Sequence, residues 1–118
     1  MNLKALVKAI VKVTKENQGC SINLEGHSPK SGYMVAQTGA EYIIPVEKFN
    51  NKEVKAYIKK NKNNVKGAFI GTWINEGLVY LDISNRFKSQ SEAIKKGIEN
   101  KQLGIFNLNT FETITIEL

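Results

Sequence analysis

GTWINEGLVYLDIS, residues 71–84, is the stretch on which the fold turns. Apolar and polar positions alternate on either side of a polar centre that contains glycine. Side chains repeat every two residues on a strand, so this pattern predicts a β-hairpin. It holds the chain's only tryptophan, Trp73, and its only aspartate, Asp82, and the only arginine, Arg86, follows closely. Asn75, Glu76 and Gly77 suit a three-residue loop, a type I turn closed by a left-handed residue at Gly77. In that register Ile70, Thr72 and Ile74 oppose Asp82, Tyr80 and Leu78, while Phe69, Trp73, Val79, Leu81 and Ile83 collect on the other face. The second set is expected to be buried, because each large apolar side chain left in water forfeits about 1.5–3 kcal/mol. The face with Ile70, Ile74, Leu78 and Tyr80 is also more apolar than a solvated face, so its expected cover is one of the chain's own helices, with a second subunit or a partner as the alternative. Asp82 is expected at the edge of that face, fixing a turn through Arg86 or the backbone N–H groups of residues 84–87.

Upstream, residues 2–18 read as an amphipathic helix: Leu3, Leu6, Val7, Ile10 and Val13 recur at helical spacing beside a stripe of Lys4, Lys8, Lys12 and Lys15. Asn2 can cap it and Gly19 can end it. Short strands over 20–24 and 32–37 then flank a polar loop, and a third strand over 40–45 stops at Pro45, which lacks the N–H a ladder needs. Asn50 and Glu53 resemble a capping box, opening a second helix over 51–62 with Val54, Tyr57 and Ile58 as its apolar stripe. Downstream of the hairpin, Ser89 and Glu92 repeat the capping pattern for a third helix over 90–100, with Ala93, Ile94 and Ile98 apolar. Two strands joined near Asn109 close the chain, Thr113, Thr115 and Glu117 alternating with Ile114, Ile116 and Leu118. The order α-β-β-β-α-β-β-α-β-β predicts one α+β domain over residues 1–118, with a mainly antiparallel sheet and three helices.

A chain of 118 residues, 42% hydrophobic and 24% charged, is long enough for one real core. One cysteine, Cys20, excludes an intramolecular disulfide. The lysine-studded start is neither a membrane span nor a cleavable leader, so no membrane association is expected, and the expected location is the cytoplasm of a bacterial host cell. Abundant Lys, Asn and Ile with a single Arg hint at an AT-rich coding sequence, as in a low-GC bacterium or its phage. The net charge of +6 favours an acidic partner and excludes a mimic of DNA. Lysine without arginine weakens any base-reading role, since bidentate recognition prefers the guanidinium fork.

Catalytic patterns are sparse. One His, one Cys and one Asp do not make a metal-ligand cluster, and neither GxGxxG nor GxxxxGK[ST] occurs. Cys20 and His27 could pair as nucleophile and base, but Cys20 begins an apolar strand and reads as a core residue. His27, between Glu25 and Ser28, has no nucleophile elbow or oxyanion-hole pattern beside it. The expectation is a protein that is not an enzyme and needs no cofactor or metal. A hydrolase or nuclease centred on His27 is the weakest of three readings.

Binding has more support. Seven of the seventeen basic residues lie between positions 48 and 66, and Lys52, Lys55, Lys59, Lys60 and Lys62 would present a row to phosphates, with Tyr57 or Phe49 stacking on bases. A solvated helix kept soluble by charge accounts for the same row. The 25–32 loop, with His27 and Lys30, and the nearby Tyr33 suit contact with a protein, and Tyr42 and Tyr80 are further aromatic anchors if exposed.

The hairpin, with SGYMVA before it and SEAIKKGIENKQLGIFNL after it, resembles small accessory proteins carried by phages and integrative conjugative elements, over about residues 20–116. The shared pattern is a Gly-Trp hairpin with an Asp, a helix containing EAI, and a NKQLGIFNL strand. It carries no catalytic residues, and it departs from the type at Asn107, where such patterns often carry Asp. The resemblance implies a mobile-element protein that binds a host factor, as inhibitors of CRISPR effectors do. The leading expectation is therefore a non-enzymatic anti-defence module that binds a host protein such as a nuclease complex, and self-association into a homodimer through an uncovered hairpin face or sheet edge is an added expectation. The alternative is a sequence-tolerant nucleic-acid binder using the second helix.

Overall fold

Asn2 sets the first helix as its sequence requires: its side-chain oxygen accepts the Ala5 N–H at 2.8 Å, and α1 runs Leu3–Asn17. Its stop differs from the sequence reading. The left-handed residue is Gln18, at φ 66°, and Gly19 already begins β1, Gly19–Ile22. The computed structural model describes residues 1–116. Strands β2 (Tyr33–Ala36) and β3 (Tyr42–Pro45) follow, then a 3₁₀ turn over Val46–Lys48. Helix α2 (Asn51–Lys60) is capped by Asn50, whose side-chain oxygen accepts the Glu53 N–H at 3.0 Å. A single further turn, α3 (Lys62–Val65), raises the helix count from the expected three to four. The hairpin strands β4 (Phe69–Asn75) and β5 (Leu78–Phe87), helix α4 (Gln90–Glu99), and strands β6 (Gly104–Asn107) and β7 (Glu112–Thr115) complete an α+β fold. Glu117 and Leu118, read above as part of the last strand pattern, lie outside the described residues.

All seven strands form one antiparallel sheet, ordered β1-β4-β5-β2-β6-β7 with β3 also on β5. The ten-residue β5 is its spine. Its one edge pairs with β4, while its other edge is shared by β3, against residues 78–81, and β2, against residues 84–87.

The hairpin register differs from the expected one by one residue on β5. Asn75 pairs with Leu78, leaving a two-residue loop, Glu76 and Gly77, with φ of 49° and 78°. Two consecutive positive φ values define the type I′ turn, whose twist matches that of the strands it joins. A one-residue slip turns every side chain of a strand to its other face. Ile70, Thr72 and Ile74 therefore share a face with Val79, Leu81 and Ile83, and Trp73 sits opposite Tyr80 on the other.

The first of these faces carries the core. Leu6, Val7 and Ile10 of α1 and Val54, Tyr57 and Ile58 of α2 pack with Ile70, Val79, Leu81 and Ile83. A second cluster, Val35, Ala93, Ile105 and Ile116, lies under α4. It occupies the same side of the sheet: Val35 pairs with Asn85, two residues along β5 from Ile83. Gly97 lets α4 come this close, since a Cβ there would press on the side chains of Ile116 and Ile105. Ile98, expected on the apolar face of this helix, is instead exposed. The buried Thr14 and Thr72 hydroxyls, 2.6 Å apart, tie α1 to β4. No helix among the described residues is long and apolar enough to cross a membrane.

Candidate interaction surface

Because α1, α2 and α4 all pack on one side, no helix among the described residues covers the other face of the sheet. The expectation that both hairpin faces are buried, one of them with Trp73, does not hold. Trp73 is 55% exposed and Ile43, two strands away on the same face, 44%. Trp73 and Tyr80 form a cross-strand pair with ring centroids 5.5 Å apart. At the far end Phe106 of β6 meets Phe111 of the following turn at 6.5 Å, and Phe111 is 76% exposed.

Between these aromatic pairs the sheet surface dips into a depression of about 420 Å³, lined by the small Ala36, Ser84 and Gly104, by Met34, Phe106 and Leu103, and by the charged Asp82 and Lys101. Leu103 itself is 78% exposed. Small side chains between large ones give a floor with walls, the shape that accepts a protruding side chain. Among the strand residues of this face only Asp82 and Arg86 are charged.

Asp82 lies where β5 passes from β3 to β2, with Gly71 across from it on β4. A Cβ at Gly71 would come within 2.5 Å of the Asp82 Oδ1, so the carboxylate uses the space glycine leaves. Burial pushes its carboxyl above the usual range, Glu41 pushes it further, and a hydrogen bond from Ser84 works the other way. Arg86 is not its partner; the guanidinium donates to the Ser31 carbonyl at 3.0 Å. A carboxyl that is harder to ionise folded than unfolded destabilises the fold at neutral pH. That cost disappears below the ordinary aspartate range, where both states are protonated. Asp82→Asn is therefore expected to raise Tm at pH 7, with the difference shrinking toward zero as pH falls through the carboxylate range. Thermal melts of both proteins across pH check this; a gain independent of pH would contradict it.

The residues expected to bind a partner do not gather in one place. Lys52 and Lys55 line a groove between α2 and α1, joined there by Lys4. Lys59, one turn beyond Lys55, continues that row. Lys60 lies across the helix, in a hollow of about 220 Å³ shared with Tyr42, Tyr57, Glu41 and Glu53. Lys62 belongs to α3. His27 and Lys30 are exposed in the loop after β1, whose first turn is closed by the Asn23 side chain accepting the Glu25 and His27 backbone N–H groups. Tyr33 faces α4, half-buried against the second core cluster, so it is not an anchor on the open face.

Two other aromatic candidates separate in the same way. Tyr80 belongs to the open face, while Tyr42 stacks on Tyr57 of α2 with centroids 6.2 Å apart. Tyr57 is buried and donates to the Ala40 carbonyl, and Phe49 is buried too, so neither is placed to stack on bases. Cys20 is half-buried against the main core, and burial pushes its thiol up, away from the thiolate a nucleophile needs. Comparison with known protein families, curated proteins and solved structures returns no significant match.

Proposed function

We propose that the protein is a non-enzymatic binding module that docks a partner protein on the helix-free face of its sheet. One observation carries the reading: the sheet face that bears Trp73, Tyr80 and Ile43 at one end and Phe106 and Phe111 at the other has no helix over it among the described residues. Exposed aromatic surface of this kind marks interaction sites, and tryptophan and tyrosine are the side chains that most often dominate their energetics. The low charge of this face, in a chain of net charge +6, suits a protein surface better than a polyanion.

The resemblance to mobile-element proteins extends the proposal to its partner, a host protein belonging to a defence nuclease complex. The test is capture from nuclease-treated bacterial lysate by tagged protein, followed by affinity measurement on the captured protein. Trp73→Ala is expected to weaken that complex about thirtyfold or more, the effect of a hot-spot residue. Equal affinity for the variant and the natural chain would overturn the assignment of this face. Concentration-dependent dimers that Trp73→Ala dissolves would replace the host partner with a second copy.

A further inference from the structure

The lysines have a surface of their own, on the other side of the molecule. Helices α1 and α2 together carry Lys4, Lys8, Lys12, Lys15, Lys52, Lys55, Lys59 and Lys60, against only Glu16 and Glu53. The two helices pack side by side, and the groove between them is lined by Lys4 and Val7 from α1 and by Asn51, Lys52 and Lys55 from α2. Helical neighbours three to four residues apart share a face, so Lys8 and Lys12 extend the row begun by Lys4, and Lys59 extends the row of Lys55. Lys4 on one side and Lys52 and Lys55 on the other thus line one groove, with further lysines on the helix surfaces beyond it. Among the described residues the ion pair within 4 Å is Lys96 with Glu99 on α4, so none of these lysines is held in such a pair by a described carboxylate.

We infer that the α1–α2 groove is a binding site for the phosphodiester backbone of nucleic acid. Lysine is a point charge on a flexible stem, able to meet phosphates at varied spacing, and the groove holds no guanidinium to read a base edge. The apolar floor at Val7 and the Asn51 amide give a strand somewhere to lie between the rows. Binding of this kind is sequence-tolerant and driven by counterion release, so its strength falls steeply with salt. The site is independent of the sheet face, and a chain using both would hold a protein on one side and nucleic acid on the other.

The test uses the purified full chain and fluorescein-labelled DNA of mixed sequence, single-stranded and duplex, followed by fluorescence polarisation over a range of KCl concentrations. Replacing Lys4, Lys52 and Lys55 together by glutamine removes three phosphate contacts. The slope of log Kobs against log [KCl] is expected to fall by about 2 for single strands and about 3 for duplex, at 0.7–0.9 per contact. Replacing Lys30, Lys88 and Lys95 by glutamine removes the same charge outside the groove and is expected to leave the slope unchanged. All six lysines are exposed or line the surface groove, so both variants should melt like the natural chain. Absence of binding, equal loss in the two variants, or a groove variant that binds like the natural chain would each overturn the inference. None of these outcomes depends on the partner of the sheet face.

Discussion

Leu81→Ala is expected to cost about 2–5 kcal/mol of folding stability, while Trp73→Ala on the neighbouring strand costs about 0.5–1.5 kcal/mol. Leu81 is fully buried in the core beneath α1 and α2, so truncation removes its burial and leaves a cavity among Ile70, Val79 and Ile83. Trp73 is the larger side chain, but more than half of it is already in water, and what it loses is chiefly the pairing with Tyr80. Urea unfolding of the two variants gives the comparison directly, provided the m-value stays constant. The register expected from the sequence makes both residues core and both truncations severe. Equal destabilisation would restore that register and close the open face.

Thr14→Val should cost about 1–3 kcal/mol although the two side chains have nearly the same shape. The Thr14 hydroxyl donates to the Ile10 carbonyl at 2.6 Å and stands 2.6 Å from the Thr72 hydroxyl, both groups buried. With its own hydrogen committed to Ile10, Thr14 accepts from Thr72. Valine at 14 removes that acceptor and strands a hydroxyl in the core. Valine at 72 is expected to cost less, because Thr14 keeps its bond to Ile10, and valine at both positions removes the whole chain and recovers much of the loss. Denaturant unfolding of the two single variants and the double variant yields the coupling between them. Strictly additive costs would mean that the hydroxyls do not interact.

Much of the architecture was legible because local signals agreed. Asn2, Asn50 and Ser89 each accept a backbone N–H in the first turn of the helix that follows, as their spacing suggests. Alternation located most strands within a residue or two, but β5 runs on to Phe87, so residues 84–87, read as a turn fixed by Asp82, are strand paired with β2. The hairpin turn misled because glutamate rarely takes positive φ. Glu76 hid a type I′ loop that asparagine or glycine in its place would have announced, and that one residue decides whether Trp73 is core or surface.

The open face was illegible for a different reason. Strand alternation says which residues share a face, but only the packing of α1, α2 and α4 says which face they cover. Likewise, charge marked α2 as basic, yet the groove needs Lys4, which lies 48 positions before Lys52 and reaches it only through the packing of α1 on α2. Glycine at 97, and not the isoleucine beside it, faces the sheet because α4 sits too close for a larger side chain.

Acrylamide quenching of Trp73 fluorescence across a dilution series tests most directly that the helix-free face stands open for a partner. As the only tryptophan, Trp73 reports on that face alone. Efficient quenching in the free chain at every concentration, and protection when the captured partner protein is added, is the result expected. Shielding of Trp73 in the free monomer, or unchanged quenching in the complex, would contradict it.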